Sequence, residues 1–420
     1  MARIYVEAHG CAASYSDSEM ISGILSGAGH TLTGDRSESD IGVLVTCSVK
    51  DATANKMIHR IKTMGDRPLV VAGCMPKAEQ KTVEKFADNA SLMGPNSIGS
   101  TLDVVNDTLV GIRREELSVD KSDKLTLPRV RINQSISIVQ IATGCMSDCS
   151  FCQTKLAKGD ISSHRIGDIV RQVRHDVQDG CKEIWLSSTD NGCYGLDIGT
   201  DLPSLINAIV KIDGDFMIRV GMMNPMYMPR IRDSLLKSYE SEKVYKFLHL
   251  PVQSGSDDTL MEMRRGHTSK TFRSVVEQFR RKFPRSTIST DIIVGFPTET
   301  DEDFAGTVSL IKDMRPDMVN LSRYAARPGT EAAQMTQISP DIVKQRSRTL
   351  HDITRRLSLE SNKQWIGWQG EVLFSEMSSG GVRGRNKAYR PIHVDGAELS
   401  VCQNVLVNNA TEHGLAGIIV

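Results

Sequence analysis

Short apolar runs alternate with longer segments of helical periodicity, and the scale of the alternation divides the chain into regions. In the first hundred residues one unit repeats three times: RIYVEA, IGVLV and PLVVAG read as short strands, each reaches a cysteine within a few residues, and each precedes a helix candidate. Ser16 and Glu19 have capping-box spacing, which predicts the opening of a helix after Cys11. Strands alternating with helices predict a small parallel sheet. Ligands of such sheets bind beyond the carboxyl ends of the strands, so Cys11, Cys47 and Cys74 are expected along one edge.

The pattern dissolves between residues 112 and 134 into a charged stretch that reads as a linker. It resumes at larger scale with SISIVQIA, EIWLSS, FMIRVG, KFLHLPV, STISTDIIVG and MVNLSRY, separated by helical segments such as IGDIVRQVRHDVQ and FRSVVEQFRRKF. Six strand units in this length predict a partial (β/α)6 barrel rather than the closed eight-stranded one. A long helix is predicted from Ser339 to about Gln364. The Gly-punctuated strands EVLFSEM, AYRPIHV, AELSVCQ and AGIIV then suggest a small all-β barrel. The expected class is α/β, with domains at 1–111, 135–362 and 363–420 and the linker at 112–134.

Composition narrows the function classes. The 420 residues carry 51 basic and 51 acidic side chains, 40% hydrophobic and 24% charged, which excludes bulk disorder and a supercharged nucleic-acid binder. No apolar run has the length of a membrane span, and the start, MARIYVEAHG, lacks the features of a signal peptide, so a cytoplasmic location away from membranes is expected. Nine cysteines make an odd number for a disulfide framework. In a reducing compartment thiols more often serve metal or catalysis.

Cys145, Cys149 and Cys152 fall within eight residues, in a loop after a strand. Three thiolates so close suit a [4Fe-4S] cluster with one iron left open to a small molecule. The competing reading is structural zinc with His164 as fourth ligand. Cys181, Cys193 and Cys402 have no partner at ligand spacing and read as buried small hydrophobes. Polar residues near the carboxyl ends of barrel strands commonly line sites, which selects Ser188, Thr189, Asp190, Gln253, Ser254 and Asp291, with His249 inside a strand candidate. Arg219, Arg264 and Arg265 are candidates for an anionic group. In the tail Arg383, Arg385, Lys387 and Arg390 surround Tyr389, a pattern of phosphate-neutralising cations beside a stacking aromatic.

The cysteine loop, with Phe151 before its last cysteine, resembles that of the radical S-adenosylmethionine enzymes. The segments EAHGCAASYSDSE, VLVTCSVKDAT and VVAGCMP resemble the N-terminal domain of methylthiotransferases, the core segments resemble the same family, and the tail resembles the TRAM RNA-binding module. This resemblance implies that Cys145, Cys149 and Cys152 hold the cluster that binds S-adenosylmethionine, and that Cys11, Cys47 and Cys74 hold a second [4Fe-4S] cluster. It places Phe151 near the adenine, and the strand-end positions then put Gln253 and Ser254 near the ribose or methionine and Ser188, Thr189 and Asp190 near the methionyl end. It also implies a transfer RNA anticodon stem-loop as partner and a protein electron donor. RVGMMNP and YKFLHLPVQ resemble the archaeal and eukaryotic branch that acts on N6-threonylcarbamoyladenosine at position 37. The acceptor's carboxylate would then call for a facing cation, with Arg219 or Arg264 as candidates. Rival acceptors are isopentenyladenosine and a ribosomal-protein aspartate, and a rival class is a zinc-containing RNA-binding protein. Many family members carry Asn where this chain has Ser14 and Val45, positions that would tune the second cluster by hydrogen bonding to its sulfurs.

Overall fold

The computed structural model describes residues 1–47, 51–118, 123–378 and 380–420. The first domain runs β1 (Arg3–Ala8), α1 (Ala12–Gly27), β2 (Thr31–Thr33), β3 (Ile41–Thr46), α2 (Asp51–Met64), β4 (Leu69–Gly73), α3 (Cys74–Ala78), α4 (Gln80–Phe86), β5 (Ser91–Met93), α5 (Thr101–Leu109) and β6 (Glu115–Glu116). Its strands form one parallel sheet in the order β2-β1-β3-β4-β5-β6. All residues of β3 and β4 are buried, as expected for a parallel sheet covered on both faces. The edge strand β6 carries the sheet past residue 111, into the expected linker.

The capping box forms differently from the expectation. Helix α1 starts at Ala12 with Cys11 as its N-cap, and the cap makes no side-chain hydrogen bond. Ser16 instead sits buried within the helix and donates to the Ile138 carbonyl at 3.2 Å, while the Glu19 carboxylate accepts from the Ile132 amide at 3.0 Å. Ser16 thus serves the core and Glu19 the connecting segment. The connecting segment is correspondingly fastened down, with Val130 N–H on the Glu19 carbonyl at 3.0 Å.

The core contains β7 (Ile136–Gln140), β8 (Ala142–Thr143), α6 (Gln153–Lys158), β9 (Ser162–Ser163), α7 (Ile166–Gln178), β10 (Glu183–Ser187), α8 (Leu202–Ile209), β11 (Met217–Val220) and α9 (Met228–Ser238). It continues with β12 (Phe247–His249), α10 (Asp257–Glu262), α11 (Ser269–Lys282), β13 (Thr287–Val294), α12 (Asp301–Met314), β14 (Met318–Arg323) and α13 (Pro340–Lys363). Two parallel sheets, β11-β10-β7 and β12-β13-β14, meet through a bridge from Ile218 to Val244, giving the six-stranded partial barrel. Because side chains alternate along a strand, Ile184, Leu186, Ile218, Val220, Leu248 and Ile292 pack in the core under the helices. Trp185, Arg219, Phe247, His249, Asp291 and Asn320 hold the other parity and line the barrel interior. Helices α7 and α11 close over the outside with Ile169 and Val173, and with Phe272, Val275, Val276 and Phe279.

The tail is a closed barrel of β15 (Gln369–Ser378), β16 (Gly381–Arg385), β17 (Pro391–Val394), β18 (Cys402–Thr411) and β19 (Gly414–Ile419), ordered β15-β16-β17-β19-β18. It docks at the amino ends of the core strands. Ser375 Oγ donates to Glu183 at 2.5 Å, and Lys246 N–H to the Lys387 carbonyl at 2.8 Å.

This docking corrects the reading of the tail as a free basic patch. Arg390 is buried with its guanidinium on Asp317 at 2.5 Å and on Asn362 at 3.0 Å. Tyr389 is buried against Tyr245 and Phe247, at ring separations of 4.8 and 4.6 Å. Arg385 donates to Glu376 at 3.0 Å and covers the Tyr389 ring, and Lys387 pairs with Glu242 at 2.5 Å. Of the five residues only Arg383 stands exposed without an ion pair among the described residues. Lys387, Tyr389 and Arg390 glue the tail to the core, which presents carboxylates and apolar rings where the tail lands, while Arg385 pairs within the tail itself.

Candidate metal centres and cofactor site

The core cysteines sit in a loop held by the backbone. Gly144, just after β8, has φ +68°, and a Cβ there would lie 1.9 Å from the Asp160 carbonyl oxygen, so the turn into Cys145 requires glycine. Cys145 N–H donates to the Gly159 carbonyl at 3.2 Å, Cys152 N–H to the Cys149 carbonyl at 3.0 Å, and Lys155 Nζ to the Cys145 carbonyl at 2.5 Å. Ser150 ties the loop to the opposite wall through the carbonyls of Met263 at 3.2 Å and Glu262 at 2.8 Å.

Among the described residues, the one group of three or more metal-ligating atoms gathered within 4.8 Å is Cys145, Asp190 and Cys193. The three loop sulfurs are therefore spread more widely than that. A tetrahedral zinc with Zn–S of about 2.3 Å would bring its sulfurs within about 4 Å of each other, whereas a four-iron cube spans them at a larger distance. His164, the proposed fourth zinc ligand, places Nδ1 3.2 Å from Asp123. The wider spread suits a four-iron cluster better than a tetrahedral zinc. Burial pushes the Cys149 and Cys152 thiols up, so the metal must hold them as thiolates.

Two residues beside this loop carry more than the sequence reading gave them. Arg265 is buried, donates Nη2 to the Pro251 carbonyl at 2.9 Å and aims Nη1 at Cys149 Sγ at 3.4 Å. Cys193, taken for filler, brings its sulfur within 4.8 Å of Cys145 Sγ and is the main cause that lowers the Cys145 thiol to about 7. The only sequence signal was its place three residues after Asp190. Cys181 does pack in the hydrophobic core, and Cys402 is exposed.

The strand-end residues divide into two groups. Buried Asp190 accepts from the amides of Gly192 at 2.8 Å and Asn224 at 3.0 Å, fixing the β10 and β11 loops beside Cys145. Ser188 donates to Asn191 at 2.6 Å. Ser254 is fully buried and bonded to Thr307 at 3.3 Å, so it braces α12 and does not face the barrel mouth, contrary to its expected place near the ribose. Thr189 Oγ1 and Gln253 Oε1, in contrast, are buried polar atoms without a partner among the described residues. Such atoms are the ones a polar cofactor would satisfy. Phe151 meets Phe296 edge-on at 6.5 Å, in an apolar cluster with Met263 and Ala332.

Inside the barrel, Asp291 accepts from His249 at 3.1 Å and from Asn320 at 2.6 Å. Arg219 lies between Trp185 and Phe247, 5.4 and 5.6 Å from their ring centres, and its Nε has no partner among the described residues. Arg264 is exposed and paired with Glu331 at 2.7 Å, which removes it as a cation facing an acceptor in the barrel.

The three N-terminal cysteines stand beyond the carboxyl ends of β1, β3 and β4, which are adjacent in the sheet. Gly10 has φ +133°, and a Cβ there would sit 2.4 Å from Cys47 Cβ. Contact with Cys47 holds the Cys11 thiol below its ordinary range, while burial pushes Cys74 up to about 11. Ser14 Oγ lies 3.7 Å from Cys11 Sγ, so a hydroxyl reaches the sulfur where an amide was expected. Val45 is buried in the sheet's apolar core and offers no donor. Helix α3, which begins at Cys74, packs against α6, which begins after Cys152. Both cysteine sets therefore flank one domain junction.

A partial βα barrel with a three-cysteine loop after its first strand defines a radical S-adenosylmethionine enzyme, and residues 139–311 match the description "Radical SAM superfamily". Residues 3–94 match "Uncharacterized protein family UPF0004". A probable threonylcarbamoyladenosine tRNA methylthiotransferase from Pyrococcus abyssi is 40% identical over 423 residues, covering 99% of both chains. The Homo sapiens threonylcarbamoyladenosine tRNA methylthiotransferase is 36% identical over 386 residues, covering 90% of this chain and 66% of its own. This chain belongs to the threonylcarbamoyladenosine tRNA methylthiotransferase family. In fold it is also similar to the radical S-adenosylmethionine methyltransferase TsrM from Kitasatospora setae, at TM-score 0.56 and 13% identity over 88% of this chain and 78% of that one. No helix among the described residues is long and apolar enough to cross a membrane.

Proposed function

We propose that this protein converts N6-threonylcarbamoyladenosine at position 37 of transfer RNA to its 2-methylthio derivative, using S-adenosylmethionine, a [4Fe-4S] cluster on Cys145, Cys149 and Cys152, and a second one on Cys11, Cys47 and Cys74. The observation that carries the reading is the packing of α3 against α6, which sets a second group of three cysteines beside the radical site. When bound, the core cluster and S-adenosylmethionine supply a 5'-deoxyadenosyl radical, the reagent that an aromatic C–H bond resistant to side-chain bases requires. The protein's own residues bind and orient. Gly144 and Ser150 fix the cysteine loop, Arg265 donates toward Cys149, and Thr189 and Gln253 offer unpaired polar atoms at the barrel mouth.

Arg219 supports a carboxylate-bearing group in the barrel. Its charge is permanent, its two aromatic neighbours hold the guanidinium in place, and its Nε has no partner among the described residues. An isopentenyl acceptor has no use for that cation. An electron donor protein completes the expected partners, and the cytoplasm is the expected compartment.

The test offers reconstituted enzyme two anticodon stem-loops that differ only in the adenosine substituent, threonylcarbamoyl or isopentenyl, with nucleoside mass spectrometry as the readout. Methylthiolation of the threonylcarbamoyl loop alone is expected. Equal or faster reaction of the isopentenyl loop would overturn the acceptor assignment.

A further inference from the structure

The junction between the N-terminal domain and the core buries two lysines around a single carboxylate. Lys124, from the connecting segment, donates to Asp17 on α1 at 2.6 Å, and Gln140 from β7 donates to the same oxygen at 2.8 Å. Asp17 is thereby neutralised. Lys158, the last residue of α6, is 7% exposed, and among the described residues no carboxylate lies within 4.0 Å of its ammonium. Its helix α6 packs against α3, whose first residue is Cys74, and Cys74, Cys11 and Cys47, once ionised, join Asp17 in favouring its charged form. Its backbone carbonyl accepts from Asn96 Nδ2 at 3.1 Å, so the N-terminal domain contacts this residue directly. A buried cation without a counter-charge costs several kcal/mol. One positive charge at this junction thus awaits an anion on the side of the three cysteines.

We propose that Lys158 is the counter-ion of the N-terminal iron-sulfur centre, supplied across the domain junction by the radical core, and that it raises that centre's reduction potential. The inference rests on the reading that Cys11, Cys47 and Cys74 hold a second cluster. A cluster bearing three thiolates gains negative charge on reduction, and a fixed cation beside it favours the reduced form. Lys158 ends the short helix that opens after Cys152, so the N-terminal centre acquires its counter-charge only when the core loop is docked. One lysine thereby makes the electrostatics of one cysteine set depend on the placement of the other.

The test uses the full-length chain with Cys145, Cys149 and Cys152 changed to Ala, so that only the N-terminal centre contributes signal. After anaerobic reconstitution with ferrous iron and sulfide, iron content is measured and the midpoint potential is read by dithionite titration. Lys158→Met and Lys158→Gln are expected to shift the midpoint to more negative values, or to lose the N-terminal iron, while Lys158→Arg keeps both. The glutamine variant separates loss of charge from loss of a polar group. Parental midpoint and iron content in both neutral variants would overturn the proposal, as would a Lys158→Arg chain as impaired as the neutral ones. Failure of the underlying reading looks different, because the parent chain itself would then bind no iron.

Discussion

The two cysteine sets arrive at three thiols each by opposite routes. Cys145, Cys149 and Cys152 share one loop whose turn is set by a single left-handed glycine and by hydrogen bonds within residues 144–159, with Ser150 tying it to the Glu262–Met263 wall. Cys11, Cys47 and Cys74 come from three separate strands, and their convergence depends on the order β1-β3-β4 in the sheet. The local site carries its instructions within a few residues. The distributed site inherits its geometry from a whole domain and, through Lys158, its electrostatics from the neighbouring one.

The largest test of that comparison removes each set in turn. About eight iron atoms per chain are expected after reconstitution, four for each set, and either triple change to Ala should remove about half. The core triple should abolish cofactor cleavage. The N-terminal triple should still form 5'-deoxyadenosine without the methylthio product, and a chain that loses cleavage while its core cluster stays loaded would contradict this division.

Single glycine substitutions should reproduce the same split. Gly144→Ala must force a left-handed residue against the Asp160 carbonyl, and Gly10→Ala must displace Cys47. The left-handed backbone alone costs roughly 1–2 kcal/mol. Metal analysis is expected to show loss of core iron in the first variant and of N-terminal iron in the second, each with the other centre retained.

A lesion at the far end of the barrel should spare both centres. Arg390→Ala takes the buried guanidinium from Asp317, leaving it, among the described residues, only Arg280 at 3.7 Å as a counter-charge, which should cost about 3 kcal/mol, while the exposed Arg383→Ala should change stability by no more than about 0.5 kcal/mol. Thermal melting separates the two. Iron content equal to the parent's in the surviving fold would show that tail docking and cluster binding are independent.

The smallest effect concerns Cys193. In the iron-free chain the Cys145 thiol is lowered to about 7 by Cys193, so its thiolate dominates above that pH and alkylation should slow as the pH falls below it. Cys193→Ala removes the donor and should move the midpoint of the alkylation profile upward, toward the ordinary thiol range. An unmoved midpoint would remove Cys193 from the site.

Parallel strands, the six-unit barrel, the long α13 and the closing β-barrel were legible because each depends on periodicity within one segment. The core cysteine loop was legible for the same reason. Where side chains act across domains, local patterns misled. Ser16 and Glu19 have the spacing of a cap but serve contacts to residues more than a hundred positions away. The residues around Tyr389 have the composition of an RNA patch, but Lys387 and Arg390 meet carboxylates of the core and Tyr389 its rings.

The amino-acid sequence by itself determined that one loop gathers Cys145, Cys149 and Cys152 and which segments become strands or helices, since both follow from residue chemistry and short-range spacing. Only the tertiary structure decided that Cys193 gathers beside Cys145, that Arg219 rather than Arg264 lies inside the barrel, and that Lys158 is buried where α6 packs against the N-terminal domain. The physical reason is that burial and charge pairing are properties of the folded surroundings. A lysine, a thiol or a guanidinium has the same composition everywhere in a chain, and its work is assigned by what the fold leaves unneutralised beside it.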